Sequence, residues 1–258
     1  MLEARGIVAR FGGLVAVDYV SLAIGPGEIV GLIGPNGAGK TTLLGALSGT
    51  LVPDAGRVRL DGGDVTDRPQ HERARLGLAR TYQRLELFSN LTAFENLLVG
   101  SEARFGEADF ILDLAGRSRR GEAEALALDV LARLDLDAIA DRPASELPLG
   151  LGRLVELGRA LCTQPRYLLL DEPAGGLDDD ETARLSSVLD TLVESGGLGI
   201  LIVEHDLEMV MGLCDRVAVM DFGRLIAQGP PAGVRRDPVV QAAYLGKEVS
   251  GAGAPRGA

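Results

Sequence analysis

The chain has no tryptophan, two cysteines and two histidines among 258 residues, and an aromatic share of 4%. With so few rings, Leu, Val, Ile and Ala must build the core; an apolar fraction of 46% is ordinary for a globular protein. Cys162 and Cys214 lie in apolar surroundings without metal-ligand spacing, and read as buried thiols rather than a disulfide. That suits a reducing compartment. Basic residues are outnumbered 26 to 37, for a net charge of −11. Such a balance argues against duplex binding, since neutralising phosphates needs a basic face. The local basic run Arg117-Ser118-Arg119-Arg120 reads as a solvated loop. No uncharged apolar run reaches the roughly 18–20 residues that span a bilayer. Met1-Leu2-Glu3-Ala4-Arg5 has no signal-peptide pattern. A soluble or peripheral protein is expected, large enough for one α/β domain with a subdomain.

What the sequence does carry centres on Gly34-Pro35-Asn36-Gly37-Ala38-Gly39-Lys40-Thr41. This fits G-x-x-x-x-G-K-[ST], the phosphate-binding loop. Glu28-Ile29-Val30-Gly31-Leu32-Ile33 before it predicts a buried parallel strand, and Thr42-Leu43-Leu44-Gly45-Ala46-Leu47 after it a helix. The glycines let consecutive N–H groups turn around a phosphate, and the helix N-terminus adds partial positive charge. Lys40 is expected to reach the β/γ-phosphates and the Thr41 hydroxyl to ligate Mg²⁺. Gly34, Pro35, Asn36, Gly37, Ala38, Gly39, Lys40, Thr41 and Thr42 are therefore candidate nucleotide contacts.

Two further strands end in polar groups. In Arg166-Tyr167-Leu168-Leu169-Leu170-Asp171-Glu172-Pro173, Asp171 is expected to hold Mg²⁺ and Glu172 to polarise an attacking water. In Gly199-Ile200-Leu201-Ile202-Val203-Glu204-His205-Asp206, His205 ends a strand where it can meet the γ-phosphate.

Residues 2–24 read as antiparallel strands over 6–11, 14–17 and 20–24. With the alternating strand 57–62 they predict a β-subdomain over about 2–30 and 55–66. Phe11, beside the Gly12-Gly13 turn, is a candidate for stacking on a purine. A strand is expected over 76–83. Residues 84–150 lack strand signals and predict an inserted helical subdomain. Its helices lie over 91–99, with Thr92 as N-cap, and 122–134, with a variable loop over 101–120 between them. The helix after 147 runs to about Cys162. The acidic run Asp178-Asp179-Asp180-Glu181 suits the N-terminus of a helix over 181–194. Helix 207–213, strand 216–221, a Phe222-Gly223 turn, strand 224–229 and a final helix over 238–245 follow. The small-residue tail after 246 is expected to be disordered.

The order of these pieces resembles the ATP-binding-cassette family over residues 2–246. Phe11 stands at its aromatic position, 34–41 at Walker A, Gln83 at the Q-loop, 147–151 at the signature, 168–171 at Walker B, Gly175–Asp178 at the D-loop and His205 at the H-loop. Phe11-Gly12-Gly13-Leu14-Val15-Ala16-Val17, Leu91-Thr92-Ala93-Phe94-Glu95-Asn96-Leu97 and Ala243-Tyr244-Leu245-Gly246 resemble the ATPase subunits of branched-chain amino acid importers.

The resemblance implies a P-loop NTPase of α/β, RecA-like class: a parallel-sheet core with an antiparallel β-subdomain and an inserted α-helical subdomain. It implies ATP and Mg²⁺, with Gln83 as a further metal and nucleotide contact. Glu172, His205 and Lys40 become the catalytic set, and Leu147, Gly150 and Asp178 act on nucleotide held by a second cassette. The implied partners are transmembrane permease subunits, a second ATP-binding subunit and a substrate-binding protein, on the cytoplasmic face of the membrane, with no nucleic acid. One departure stands out. The family signature is usually Leu-Ser-Gly-Gly-Gln; here it is Leu147-Pro148-Leu149-Gly150-Leu151, and Pro148 offers neither hydroxyl nor N–H. A regulatory cassette with weak hydrolysis and a soluble cassette acting on DNA or ribosomes are the alternatives. The single cassette, the lack of a long coiled-coil or zinc insertion and the acidic balance speak against the second.

Overall fold

The computed structural model describes residues 1–103 and 119–251, without the side chains of 119 and 245–251. Two sheets organise it. β1 (Leu2–Phe11), β2 (Leu14–Ile24), β4 (Ala55–Leu60) and β5 (Gly63–Asp64) form an antiparallel sheet in the order β2-β1-β4-β5. β3 (Ile29–Ile33), β6 (Leu78–Arg80), β7 (Tyr167–Asp171), β8 (Gly199–Val203), β9 (Arg216–Asp221) and β10 (Arg224–Gly229) form the central sheet, ordered β10-β9-β3-β8-β7-β6. Its pairs are parallel except the β9–β10 hairpin.

The central strands are apolar on both faces because both are covered. Ile29, Leu168, Leu170, Ile200 and Ile202 point to one core, Val30, Leu32, Leu169, Leu201 and Val203 to the other. The first core is closed by α5 (Leu149–Cys162), α6 (Asp179–Gly196) and α7 (Leu207–Leu213), through side chains such as Val155, Leu189 and Val210. The second is closed by the antiparallel sheet and by α1 (Lys40–Ser48), whose Leu43, Leu44 and Leu47 are fully buried. The phosphate-loop helix is thus held between two sheets.

The C-terminal end of α1 has an unusual partner. Arg73 of α2 (Gln70–Arg75) is fully buried and donates to the carbonyls of Ala46 (2.6 Å), Leu47 (2.7 Å), Thr66 (2.8 Å) and Arg68 (2.8 Å). Burial lowers its pKa to about 10, still high enough for it to stay cationic where α1 exposes its negative end. The helical subdomain is built from α3 (Ala93–Glu102), α4 (Arg119–Arg133) and α5. Thr92 caps α3 as expected: its hydroxyl accepts from Glu95 N, and Glu95 returns a bond to Thr92 N. Fully buried Asn96 ties in the preceding loop through Phe88 N and the Phe88 and Thr92 carbonyls. Capping boxes recur at α6, where Asp178 pairs with Glu181.

Several boundaries differ from expectation. The runs 14–17 and 20–24 are one strand, β2, because register shifts along β1 and positive φ at Tyr19 absorb the Asp18-Tyr19 interruption. Residues 29–30 pair in the central sheet, so the first stretch of the antiparallel sheet, expected over about 2–30, ends at Ile24. Of the strand 76–83 only 78–80 forms, since Leu76 caps α2 and Gly77 turns at φ 88°. α2 and α8 (Pro231–Arg236), six residues each, are too short to show a helical period in sequence. α9 (Pro238–Gly251) runs past its expected end, because Lys247, Glu248, Val249 and Ser250 allow helix and no proline intervenes. The expected loop 101–120 and the remaining tail lie mostly or wholly outside the described residues; of the basic run 117–120, read as a solvated loop, Arg119 and Arg120 instead open α4.

Both cysteines are free and buried. Burial pushes Cys162 up to about 11 and Cys214 up to about 12. At about pH 8 neither forms appreciable thiolate, so iodoacetamide should leave the folded protein unmodified and label both thiols in denaturant, as intact mass would read. Thr92→Ala should cost about 1 kcal/mol through loss of the cap, read as a lower urea midpoint at unchanged slope.

Candidate nucleotide-binding site

The loop after β3 crosses the C-terminal edge of the central sheet with almost no room to spare. Gly34 sits at φ 149°, and a Cβ there would lie 2.1 Å from the Met220 carbonyl oxygen at the end of β9. Gly39, the residue before α1, sits at φ 101° with the Ala16 carbonyl 2.2 Å from such a Cβ. Glycine is required at both by backbone contact as well as torsion. Tyr244 of α9 turns its hydroxyl toward the Gly34 backbone, and burial pushes its pKa up to about 12. The Lys40 ammonium, nearly buried, donates to the Gly34 carbonyl at 2.6 Å and the Pro35 carbonyl at 3.2 Å.

A cavity of about 370 Å³ opens over this loop. Asn36, Gly37, Ala38, Gly39, Lys40, Thr41 and Thr42 form its floor; Phe11, Val15 and Ala16 form one wall; Glu172 and His205 form another. Phe11 is 54% exposed, a ring presented to solvent rather than packed in a core. Phe222, on the β9–β10 turn, joins the rim and is 79% exposed. Sequence reading saw only a hairpin there; an aromatic at a turn tip was the available signal.

Glu172 is held by side chains from two other strand ends. It follows β7 with φ 50°, in the left-handed region, which aims its side chain off the strand direction. Its Oε2 accepts from Gln83 Nε2 at 2.6 Å, and its Oε1 meets His205 Nε2 at 2.7 Å. A carboxylate only accepts, so the His205 proton sits on Nε2. Glu204, buried beside His205, was not given a role from sequence. Its Oε1 accepts from Ala174 N (2.7 Å) and its Oε2 from His205 N (3.0 Å), fixing the turn after Glu172 and the histidine backbone together. Burial, opposed by these backbone donors and aided by nearby Glu172, leaves its pKa raised. Asp206 caps α7 by accepting from Glu208 N and Met209 N.

Asp171, 4% exposed, ends β7, and its Oδ2 accepts from Arg80 Nη2 at 2.9 Å. Sequence reading missed Arg80, which matches no motif. Among the described residues no group of three or more His, Cys, Asp or Glu is arranged to hold a metal unaided. Thr41 and Asp171 offer one hydroxyl and one carboxylate, hard oxygens few enough that phosphate oxygens must complete a coordination sphere. This fits Mg²⁺, which is bound by one or two carboxylates with substrate phosphates.

Three candidates lie elsewhere. Gly150, beside Pro148, lines a separate cavity of about 280 Å³ between α5 and α6, against Glu181 and Leu185, while Leu147 packs on the helical core. Asp178 commits its carboxylate to capping α6. The structure does not bring Leu147, Gly150 or Asp178 to the phosphate-loop cavity, so within one chain they cannot contact its nucleotide. Gln83 reaches that cavity only through Glu172. On the other side of Arg80 a larger cleft, about 760 Å³, runs between the end of the central sheet and the helical subdomain, lined by Gln70, Tyr82, Phe88, Glu156 and Arg159 among others.

Gly39→Ala is expected to strain the loop by about 1–3 kcal/mol or more. Titration with a fluorescent nucleotide should then show affinity lower by at least about tenfold, with the circular-dichroism spectrum unchanged.

The comparisons with known proteins agree with this geometry. Residues 17–175 match the ABC transporter family, and residues 224–250 match the C-terminal element of branched-chain amino acid ATP-binding cassette transporters. The chain is 40% identical over 251 residues to the high-affinity branched-chain amino acid transport ATP-binding protein BraF of Pseudomonas aeruginosa, covering 96% of this chain and 98% of that one. To LivG of Escherichia coli K12, of the same description, it is 42% identical over 250 residues with the same coverage. It is also 35% identical, over 96% of its length, to the lipopolysaccharide export ATP-binding protein LptB of Acidithiobacillus ferridurans. Its fold superposes on a nucleotide-free ATP-binding cassette of an ABC transporter with a TM-score of 0.82 at 32% identity, covering 95% of this chain and 98% of that chain. A cassette of an ABC transporter in its ADP conformation gives 0.83 at 33%, with equal coverage. With the phosphate loop, Glu172 after β7 and His205 after β8 converging on one cavity, and these likenesses covering nearly its whole length, the chain belongs to the ATP-binding-cassette transporter family.

Proposed function

We propose that the chain is the ATP-hydrolysing motor subunit of an importer for branched-chain or related amino acids. The observation that carries it is the grip of Gln83 and His205 on Glu172 at the edge of the phosphate-loop cavity. A carboxylate held from two sides keeps one direction, which a base acting on water requires. Lys40, leaving the Gly34 and Pro35 carbonyls, meets the β/γ-phosphates beside the loop N–H groups. Phe11 and Phe222 flank the purine. Thr41 and Asp171, with Gln83 through its amide oxygen, would hold Mg²⁺, which would supply charge neutralisation on the phosphates. Glu172 orients water, and His205 keeps Glu172 in place while sensing the γ-phosphate.

Leu147, Gly150 and Asp178 sit away from their own chain's cavity, which favours action on nucleotide held by a second ATP-binding subunit. Permease subunits dock near Gln83 and the helical subdomain and place the motor at the cytoplasmic face of the membrane, with a substrate-binding protein delivering cargo. Among the described residues no helix is long and apolar enough to cross a membrane. Likeness to an exporter ATPase at 35% identity does not separate cargoes; the C-terminal match at 224–250 favours branched-chain amino acids. Pro148, which caps α5 without any side-chain bond, favours pairing with a different subunit that carries a serine at that place, and keeps a weakly hydrolysing regulatory cassette as the second reading.

Glu172→Gln should lower ATP turnover by about 10²–10⁴-fold while retaining nucleotide binding. Light scattering of this variant with MgATP separates the pairings: a self-dimer means Pro148 is tolerated, and a nucleotide-bound monomer means a different partner subunit. Wild type that binds ATP without turnover, even with its partners, supports the regulatory cassette and overturns the motor.

A further inference from the structure

Arg80 ends β6, three residues before Gln83. Its guanidinium touches several parts of the molecule at once. Nη2 donates to Asp171 Oδ2 at 2.9 Å, and both side chains are 6% exposed. Nη1 donates to Ser48 Oγ at 2.9 Å and, at 3.4 Å, to Thr50 Oγ1, at the C-terminal end of α1. The guanidinium carbon stands 4.9 Å from the centroid of the Tyr82 ring, a cation–π contact. Arg80 and Tyr82 both line the 760 Å³ cleft, and the Tyr82 hydroxyl is tied to the Gln70 amide of α2. Arg80 Nε is buried without a hydrogen-bond partner.

An unmet buried donor is costly, and a native structure keeps one where geometry serves something other than stability. Arg80 supplies a permanent charge next to a carboxylate that has to receive a cation. It holds Asp171 Oδ2, which restrains the carboxylate's rotamer and leaves Oδ1 as the oxygen that would meet a cation. It also opposes metal binding by its own charge. Its remaining contact is an aromatic ring on the cleft wall, so an occupant of the cleft that shifts Tyr82 shifts the guanidinium with it.

We propose that Arg80 is a positioning residue that orients Asp171 for the metal–nucleotide complex and links the state of the cleft to that carboxylate, by a route separate from the Gln83–Glu172 contact. The proposal rests on the motor reading above. A purely architectural ion pair is the competing view. The β6–β7 ladder, however, already joins Leu78 to Tyr167 and Ala79 to Leu168, so the strands do not need the bridge to pair.

The test uses the full chain with Arg80→Met, Arg80→Lys and Tyr82→Leu. Mn²⁺ is titrated at saturating nucleotide, free Mn²⁺ is read by electron paramagnetic resonance, and ATP turnover is measured in parallel. Removing the opposing charge in Arg80→Met should tighten Mn²⁺ uptake by about tenfold while turnover falls, a split that lost folding would not produce. Arg80→Lys should return the metal affinity but only part of the turnover, since one ammonium cannot reach Asp171 and Ser48 together. Tyr82→Leu should move both readings the same way as Arg80→Met, by less. Unchanged or weaker Mn²⁺ uptake in Arg80→Met overturns the proposal. If that variant does not fold, wild-type turnover in both Arg80→Lys and Tyr82→Leu overturns it. Wild type that takes up no Mn²⁺ with nucleotide overturns the motor reading first, and this inference with it.

Discussion

Burial of both faces of the central sheet is the constraint on which everything else depends. β3, β7 and β8 have no exposed residue, so no polar side chain can stand on them except at their ends. Helices close one face; α1 and the antiparallel sheet close the other. Chemistry is therefore confined to the C-terminal edge, where the strands deliver the phosphate loop, Asp171–Glu172 and His205 side by side. Parallel pairing in register does the positioning: Asp171 lies opposite Val203 in the β7–β8 ladder, and Glu172 N continues it onto the Val203 carbonyl.

At that edge the polar groups hold one another. Glu172 is shared by Gln83 and His205, His205 is fixed through its backbone by Glu204, and Asp171 is paired with Arg80. The Arg80, Gln83 and His205 bonds extend the pairing of β6, β7 and β8 beyond the ends of their backbone ladders. In a low-dielectric setting such bonds are strengthened and fix the geometry of the carboxylates.

What could be read in advance follows from how local the cause was. The glycine spacing before Lys40, the apolar runs ending at Asp171 and near His205, the Thr92 cap and the acidic helix start at 178–181 all act within a few residues, and each appears in the structure close to where it was expected. Arg80, Arg73 and Glu204 escaped because their meaning lies in partners far along the chain: Asp171 for Arg80, the end of α1 for Arg73 and Ala174 for Glu204. A buried charge looks in sequence like any surface charge. Short helices such as α2 escaped for the opposite reason, having too few residues to show a period. The signature region was legible only as a departure; its separation from the phosphate-loop cavity is a fact of three dimensions.

The strand order has a consequence for how the protein is made. β3 carries the phosphate loop and leaves the ribosome early, but its two neighbours in the sheet are β8 and β9, which end at Val203 and Asp221. Until those residues emerge, β3 has no strand to pair with, Gly34 lacks the Met220 carbonyl it packs against, and Tyr244 has yet to arrive. The nucleotide site is therefore assembled last although its motif is written first. Closing contacts over such separations is slow and leaves apolar strands unprotected during synthesis. A chain cut short before β9 carries an intact Walker A sequence without the strand its loop packs against, so the site forms only after synthesis has passed β9.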